Sequence, residues 1–209
     1  MLNFRNYKIG TRLLMTTIGA LVLMIIFVAI GLFSLKSISD KVDHIANNNM
    51  KKTELAVGMR MRNLLIGSYV RTALIVEETE KQLEEKKKLE ADLQSYLEAE
   101  NALGSSIGSA KGQAIHDRLV PARKGAEESI SRVFVLIKAG NRPELEAHFF
   151  GDFHPKMQTW FDAIGEVVSL QKENNAHDLA EIAYIKSQVH TTMLLIIGLA
   201  VLIMIPSGL

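Results

Sequence analysis

Arg60, Arg62 and Arg71 crowd into a short stretch of the chain. A guanidinium presents a planar fork that pairs bidentately with carboxylate or phosphate, so the cluster points to anion recognition. Arg62 and Arg71 are nine positions apart, which at about 100° per residue puts them on opposite sides of a helix. One helix cannot close both on a small anion. Two copies packed side by side can, with Arg62 of one chain approaching Arg71 of the other. The plainer reading, that these arginines face solvent or pair with acidic residues of a neighbouring helix, stands beside it.

Other chemistry is sparse. The six histidines are His44, His116, His148, His154, His177 and His190. None is read as making the i, i+4 pairing with a carboxylate that a zinc site needs. His148, Asp152 and His154 lie close enough in sequence to suggest a metal, although histidines in a loop are usually just solvated. Cysteine is absent, which removes disulfides, thiol redox chemistry and thiolate ligation together. No GxSxG, HExxH, P-loop or GxGxxG motif occurs, so the expectation is a non-enzyme without a cofactor. A net charge of +1 gives no field to recruit nucleic acid.

These residues hang on a chain with an uneven apolar distribution. Hydrophobic residues make up 48% and the mean hydropathy is +0.13, yet the excess sits in two blocks. The first lies between Arg12 and Lys36, 23 residues without a charge. As a helix it measures about 34 Å, slightly more than a bilayer core. A signal peptide is the competing reading; the block is too long for one and lacks a small-x-small cleavage site. The second block runs from Thr191 to Leu209, again uncharged. Residues 13–35 and 191–209 are therefore expected to be transmembrane helices. Arg5, Lys8 and Arg12 precede the first span with no acidic residue, and all 23 Asp and Glu lie between the spans. The positive-inside rule then places residues 1–12 and the last residue in the cytoplasm and residues 36–190 outside it.

The intervening segment reads as helices. Stepping by threes and fours after the first span meets Leu35, Ile38, Val42, Ile45, Asn49, Lys52, Ala56, Met59, Asn63, Ile66, Val70 and Ala73. That seam continues the membrane helix without a break, and polar Asn49, Lys52 and Asn63 favour a specific dimer with a polar interior. Thr79-Glu80-Lys81-Gln82 fits a capping box opening a second, charge-rich helix with Leu83, Leu89, Leu93 and Leu97 as apolar positions. Gly104 to Ser109 is a turn. A third helix runs from about Lys111 to Ala139, bent at Pro121. Gly140 stops it, and Asn141 with Glu144 caps a short helix to Phe150. After a break at Gly151–Pro155 the fourth helix carries Trp160, Phe161, Ile164, Val168, Ile182, Ile185 and Val189 into the second span. The fold class is all-α, an antiparallel up-down four-helix bundle with helices of roughly 35–40 residues, reaching about 55 Å from the bilayer.

Three sequence pieces in this order, Lys8-Ile9-Gly10-Thr11-Arg12-Leu13, Glu54-Leu55-Ala56 leading into Arg60 and Arg62, and Lys138-Ala139-Gly140-Asn141, make the chain resemble a known family. It is similar to the N-terminal sensory portion of methyl-accepting chemotaxis proteins with a four-helix-bundle ligand-binding domain. The resemblance covers essentially the whole chain. It implies a homodimer through the first helix in a bacterial inner membrane, with the bundle in the periplasm or outside the cell. It also implies three arginines around the ligand. The first and third fall on Arg62 and Arg71, whereas the middle one falls on Gly67. The ligand-contacting proline region at the start of the fourth helix resembles His154-Pro155-Lys156. Lys156 adds a positive charge where the amino-acid receptors are neutral, so the implied ligand is a small organic acid such as a dicarboxylate. The family continues into a HAMP linker and a methylated hairpin that controls a histidine kinase, and this chain ends before either. A membrane histidine kinase or cyclic-dinucleotide enzyme with the same front end, or a bundle that docks a protein and binds no small molecule, are the alternatives.

Overall fold

The computed structural model describes residues 9–204, and within them every regular element is a helix. In order these are α1 (Ile9–His44), α2 (Met50–Ile75), α3 (Thr79–Ser105), α4 (Ala110–Ala139), α5 (Arg142–His148) and α6 (His154–Met204). A π-helical turn, Ile45–Asn49, joins α1 to α2, and a second, Phe149–Phe153, joins α5 to α6. The expectations resting on Arg5, Lys8, the Arg12 side chain and Pro206 lie outside the described residues. Two compact units emerge. One is the segment Ala46–Asn175; the other combines Met1–Ile45 with Ala176–Leu209.

The first unit, Ala46–Asn175, holds the four-helix bundle. On α2 the buried residues are Ala56, Met59, Asn63, Ile66, Gly67, Val70 and Ala73, the three-four spacing of an inward stripe. Asn49 and Asn63, 2% and 3% exposed, therefore face the core of their own bundle. The idea that they line a dimer interface is corrected: the seam read from the sequence packs within the chain. As expected, the helix of the first span continues into α2 without ending, passing through the π turn at Ile45–Asn49.

Helix α3 starts at Thr79 by a different device from the one predicted. Glu78 is the N-cap in extended geometry, with no side-chain cap. Gln82 Nε2 donates instead to the Val76 carbonyl at 2.7 Å, tying the turn together. The helix buries Leu89, Tyr96, Glu100 and Leu103, while predicted core residue Leu83 is 52% exposed. Its charged run forms local pairs, Lys88 with Glu84 and Glu85 and Lys86 with Glu90, exposed contacts that water and salt screen. At 27 and 30 residues, α3 and α4 are shorter than expected, about 40–45 Å long.

Ser109 caps α4, its hydroxyl accepting from Gly112 N–H at 3.1 Å. The helix passes Pro121 uninterrupted and ends at Gly140, whose φ of 68° is the left-handed C-cap that glycine tolerates. Asn141 caps α5 as predicted, accepting from Glu144 N–H at 3.3 Å. The expected break at Gly151–Pro155 is absent: α5 continues through the π turn into α6. Proline cannot bond the carbonyl four residues back, and that carbonyl belongs to Gly151, inside the widened turn.

The core centres on Trp160 and Tyr96, both fully buried. Their rings meet edge-on at 4.8 Å and Trp160 Nε1 donates to Tyr96 Oη at 2.8 Å. Next to them Arg123 Nε donates to Glu100 at 3.0 and 3.2 Å, and Arg123 Nη1 reaches Glu127 at 2.5 Å. Burial pushes the Tyr96 phenol up, and the adjacent Glu100 carboxylate pushes it further.

The second unit pairs α1 with the C-terminal part of α6. Both helices are long and apolar enough to cross a membrane. Ile25, Phe33, Leu195 and Leu202 are 65–77% exposed, which suits a hydrocarbon surround. Beyond the apolar stretch Lys41 and His44 of α1 meet Asp178 and Glu181 of α6.

Candidate functional site, a cleft between two helices of the bundle

Spacing on two helices builds one opening in the bundle. Asn63, Gly67 and Arg71 stand four apart on α2, and His154, Met157, Gln158 and Phe161 make the i, i+3, i+4, i+7 stripe of α6. With Leu64 and Phe153 they line a cleft of about 140 Å³. Its floor exists because residue 67 has no side chain. A Cβ there would meet Met157 Cε at 3.4 Å and Arg71 Nη1 at 3.5 Å, filling the space between the helices.

The polar groups at this cleft are not spent on one another. Arg71 is exposed and has no ion pair among the described residues. Asn63 is 3% exposed, yet its Nδ2 has no hydrogen-bond partner. An amide left so costs about 1–3 kcal/mol, a penalty that a ligand acceptor would relieve. His154 opens onto the same space, while Gln158 is held by its own donation to Asp162 at 2.8 Å. Phe161, one wall, carries the Arg60 guanidinium over its ring at 4.3 Å, worth about 0.5–1 kcal/mol at an exposed site. The cleft thus brings together a guanidinium, a buried unpartnered amide and an imidazole over an apolar floor.

Of the predicted ligand residues, Arg71 and His154 come together here. Lys156 does not join them. Its Nζ pairs with Asp152 at 2.8 Å, and its side chain runs past Gly125. That pairing, aided by Ser129 and His148, holds the Asp152 carboxyl below its ordinary value. One turn of helix separates the roles: residues 154, 157 and 158 face α2, whereas residues 152 and 156 share another face. Arg62 also lies apart, its Nη1 making a long contact of 3.4 Å to the Gly58 carbonyl and its buried Nε lacking a partner.

The His148, Asp152 and His154 grouping divides. His148 Nε2 lies 3.1 Å from Ser129 Oγ and 3.8 Å from Asp152 Oδ2, while His154 lines the cleft. The reading that no histidine has a carboxylate partner four residues on is corrected, since both His148–Asp152 and His177–Glu181 have that spacing and both pairs are in proximity.

Two features escaped the sequence reading. Arg60 is only a charge in the sequence, and its seat on Phe161 depends on the fold. More telling is a second three-four stripe on α2, offset from the first: Met50, Glu54, Val57, Met61, Leu64, Ser68, Arg71 and Ile75. Met50, Val57, Met61, Leu64 and Ile75 are 48–79% exposed, far more apolar surface than a helix facing water needs. The pattern was present in the residues and was hidden by the stronger inner stripe. A smaller cavity of about 40 Å³ lies by Lys52, His116 and Gln171. The Gln171 Oε1 buried there has no partner, and the space suits a bound water.

Compared with known proteins, the chain matches the four-helix-bundle sensory module for signal transduction over residues 6–191. No individually curated protein matches it. The match spans the bundle together with α1 and most of α6, so the chain belongs to the family of four-helix-bundle sensory modules for signal transduction.

Proposed function

We propose that this sensory module is the front end of a transmembrane chemoreceptor, binding a small organic acid outside the cytoplasm and passing a helix movement through the membrane. The observation that carries the proposal is the α2–α6 cleft, where exposed Arg71 and the unpartnered Asn63 amide sit over the gap at Gly67. A carboxylate there takes the Arg71 fork and the Asn63 N–H, and its carbon chain rests on Met157 and Phe161. With Lys156 committed to Asp152, the second charge for a dicarboxylate comes from His154 or from a neighbouring chain.

The neighbouring chain is a second copy. The exposed stripe of α2 has the spacing of a helix-pairing seam, and Arg71 is one of its members. Pairing two such stripes brings Arg62 of the second copy, next to seam residue Met61, toward the cleft edge. The homodimer and the cross-chain arginine pair thus belong to one surface. The signal leaves on α6, which carries His154 at one end and the second apolar stretch at the other. Ligand can shift this helix only by binding two of its positions with different affinity. The basic residues 5, 8 and 12 orient both termini toward the cytoplasm of a bacterial inner membrane.

The test is a thermal-shift screen of the full chain in nanodiscs against mono- and dicarboxylates, amino acids and phosphate. A ligand at 100 times its Kd adds about 2.7 kcal/mol, a shift of a few degrees. The expected hit is a carboxylate whose shift disappears in Arg71→Ala. A panel without any shift argues for a partner protein or for a bundle that binds nothing.

A further inference from the structure

The α1–α6 unit contains a second cluster that the carboxylate reading does not use. Lys41 and His44 stand three apart on α1, one helical turn. Across from them His177, Asp178 and Glu181 occupy one face of α6, and their ligand atoms all lie within 4.8 Å of one another. His44 Nδ1 is 3.2 Å from Asp178 Oδ2. Lys41 Nζ is 3.6 Å from Asp178 Oδ1 and also pairs with Glu181 Oε2, an atom buried from solvent. Asp178 itself is 7% exposed.

We propose that this cluster is a binding site for a zinc-class divalent transition metal, with His177, Asp178 and Glu181 as ligands and His44 positioning the Asp178 carboxylate. Mixed imidazole and carboxylate donors suit zinc, whereas magnesium and calcium take oxygen alone. His177 and Glu181 at i, i+4 project from one face of a rigid helix, a spacing that can grip a single ion. The three donor atoms already lie within 4.8 Å of one another, and metal bonds of about 2.0–2.2 Å would draw them closer. The hydrogen bond from His44 supplies the outer support that ligating carboxylates use, and it comes from the other helix.

A cation already sits here. The Lys41 ammonium lies between the two carboxylates, and the Glu181 partnership raises its pKa while that of Glu181 falls. The metal therefore competes with Lys41 for the same oxygens. A bound ion replaces a flexible ion pair by directional bonds and, through His44, fastens α1 to α6 on the helix assigned to carry the signal. The site makes the receptor's response dependent on metal as well as on the organic acid.

The experiment uses the untagged full chain in nanodiscs, titrated with zinc against a chromogenic chelator, with cobalt absorption as a report of coordination. One ion per chain is expected. His177→Ala and Glu181→Gln should each weaken binding by at least about tenfold, and His44→Ala by about tenfold, the usual effect of losing an outer-shell partner. Lys41→Met should tighten binding, because the competing ammonium is gone. Arg71→Ala should leave it unchanged, so failure of the metal site and failure of the carboxylate cleft are separable. An absence of saturable binding in the parent overturns the assignment. So does an affinity that ignores His177→Ala, or a Lys41→Met chain that binds no tighter than the parent.

Discussion

Two polar regions of the same bundle were treated differently by the fold. Around Trp160, Tyr96, Glu100, Arg123 and Glu127 the hydrogen bonds and ion pairs close on one another. At the cleft, Asn63 Nδ2 is buried and unpartnered, and Arg71 has no ion pair among the described residues. A buried network whose members satisfy each other fixes register and packing. A buried amide left unpartnered, as at Asn63, carries a cost of about 1–3 kcal/mol, whereas exposed Arg71 is open to water. The first region is closed and the second is open, and the difference shows in which variants lose stability and which gain it.

The closed network should give the heaviest losses. Arg123→Ala leaves Glu100, 4% exposed, as an uncompensated buried charge, and should destabilise the bundle by about 3–5 kcal/mol in chemical denaturation. Trp160→Phe is milder. It keeps an aromatic core but removes the donor to Tyr96, with an expected loss of about 1–3 kcal/mol. Should either substitution prove neutral, the network is not what holds α3, α4 and α6 in register.

The cleft should respond with the opposite sign. Asn63→Leu keeps the branching and removes the unpartnered amide, so stability should rise by about 1 kcal/mol, less any cost of its larger methyls, while carboxylate binding falls. Gly67→Ala should gain about 0.5–1 kcal/mol from helix propensity, since the new methyl makes only ordinary contacts. It too should weaken binding, by filling the floor. A loss of stability in both variants would mean that the cleft is part of the packing and not an opening in it.

The least change is expected at Asp152. Its folded-state pKa is depressed, chiefly by Lys156, so its contribution is complete above the unfolded value of about 3.9. It is then lost as the pH falls through the lower folded value. Asp152→Asn should flatten that acid limb slightly and leave stability near pH 7 little changed, because the pair is partly exposed. The readout is the melting temperature against pH for parent and variant.

What the sequence could reveal follows from the range of the interactions. Helix number, the turn between Gly104 and Ser109, the Gly140 stop and the Asn141 cap depend on neighbours within a turn or two, and all are readable locally. So is the inner stripe of α2. Its destination was not: nothing in the spacing of Asn49 and Asn63 says whether the partner helix belongs to the same chain. The uninterrupted passage through Gly151–Pro155 rests on the π turn Phe149–Phe153, which no residue type announces. Arg71 and His154 could be nominated from chemistry and resemblance, but their meeting at one cleft needs the α2–α6 register. Lys156 shows the same limit in reverse, because Asp152 four residues earlier already claims it.

Whether the open donors of the α2–α6 cleft hold a small carboxylate can be decided by calorimetric titration. The full chain in nanodiscs is titrated with the strongest carboxylate from the thermal screen, with Arg71→Ala and Asn63→Leu alongside. Saturable binding is expected in the parent, weakened by at least about tenfold in each variant, as follows when a charged or buried hydrogen bond is lost. Binding of equal strength in all three proteins would contradict that assignment and move the ligand elsewhere on the bundle.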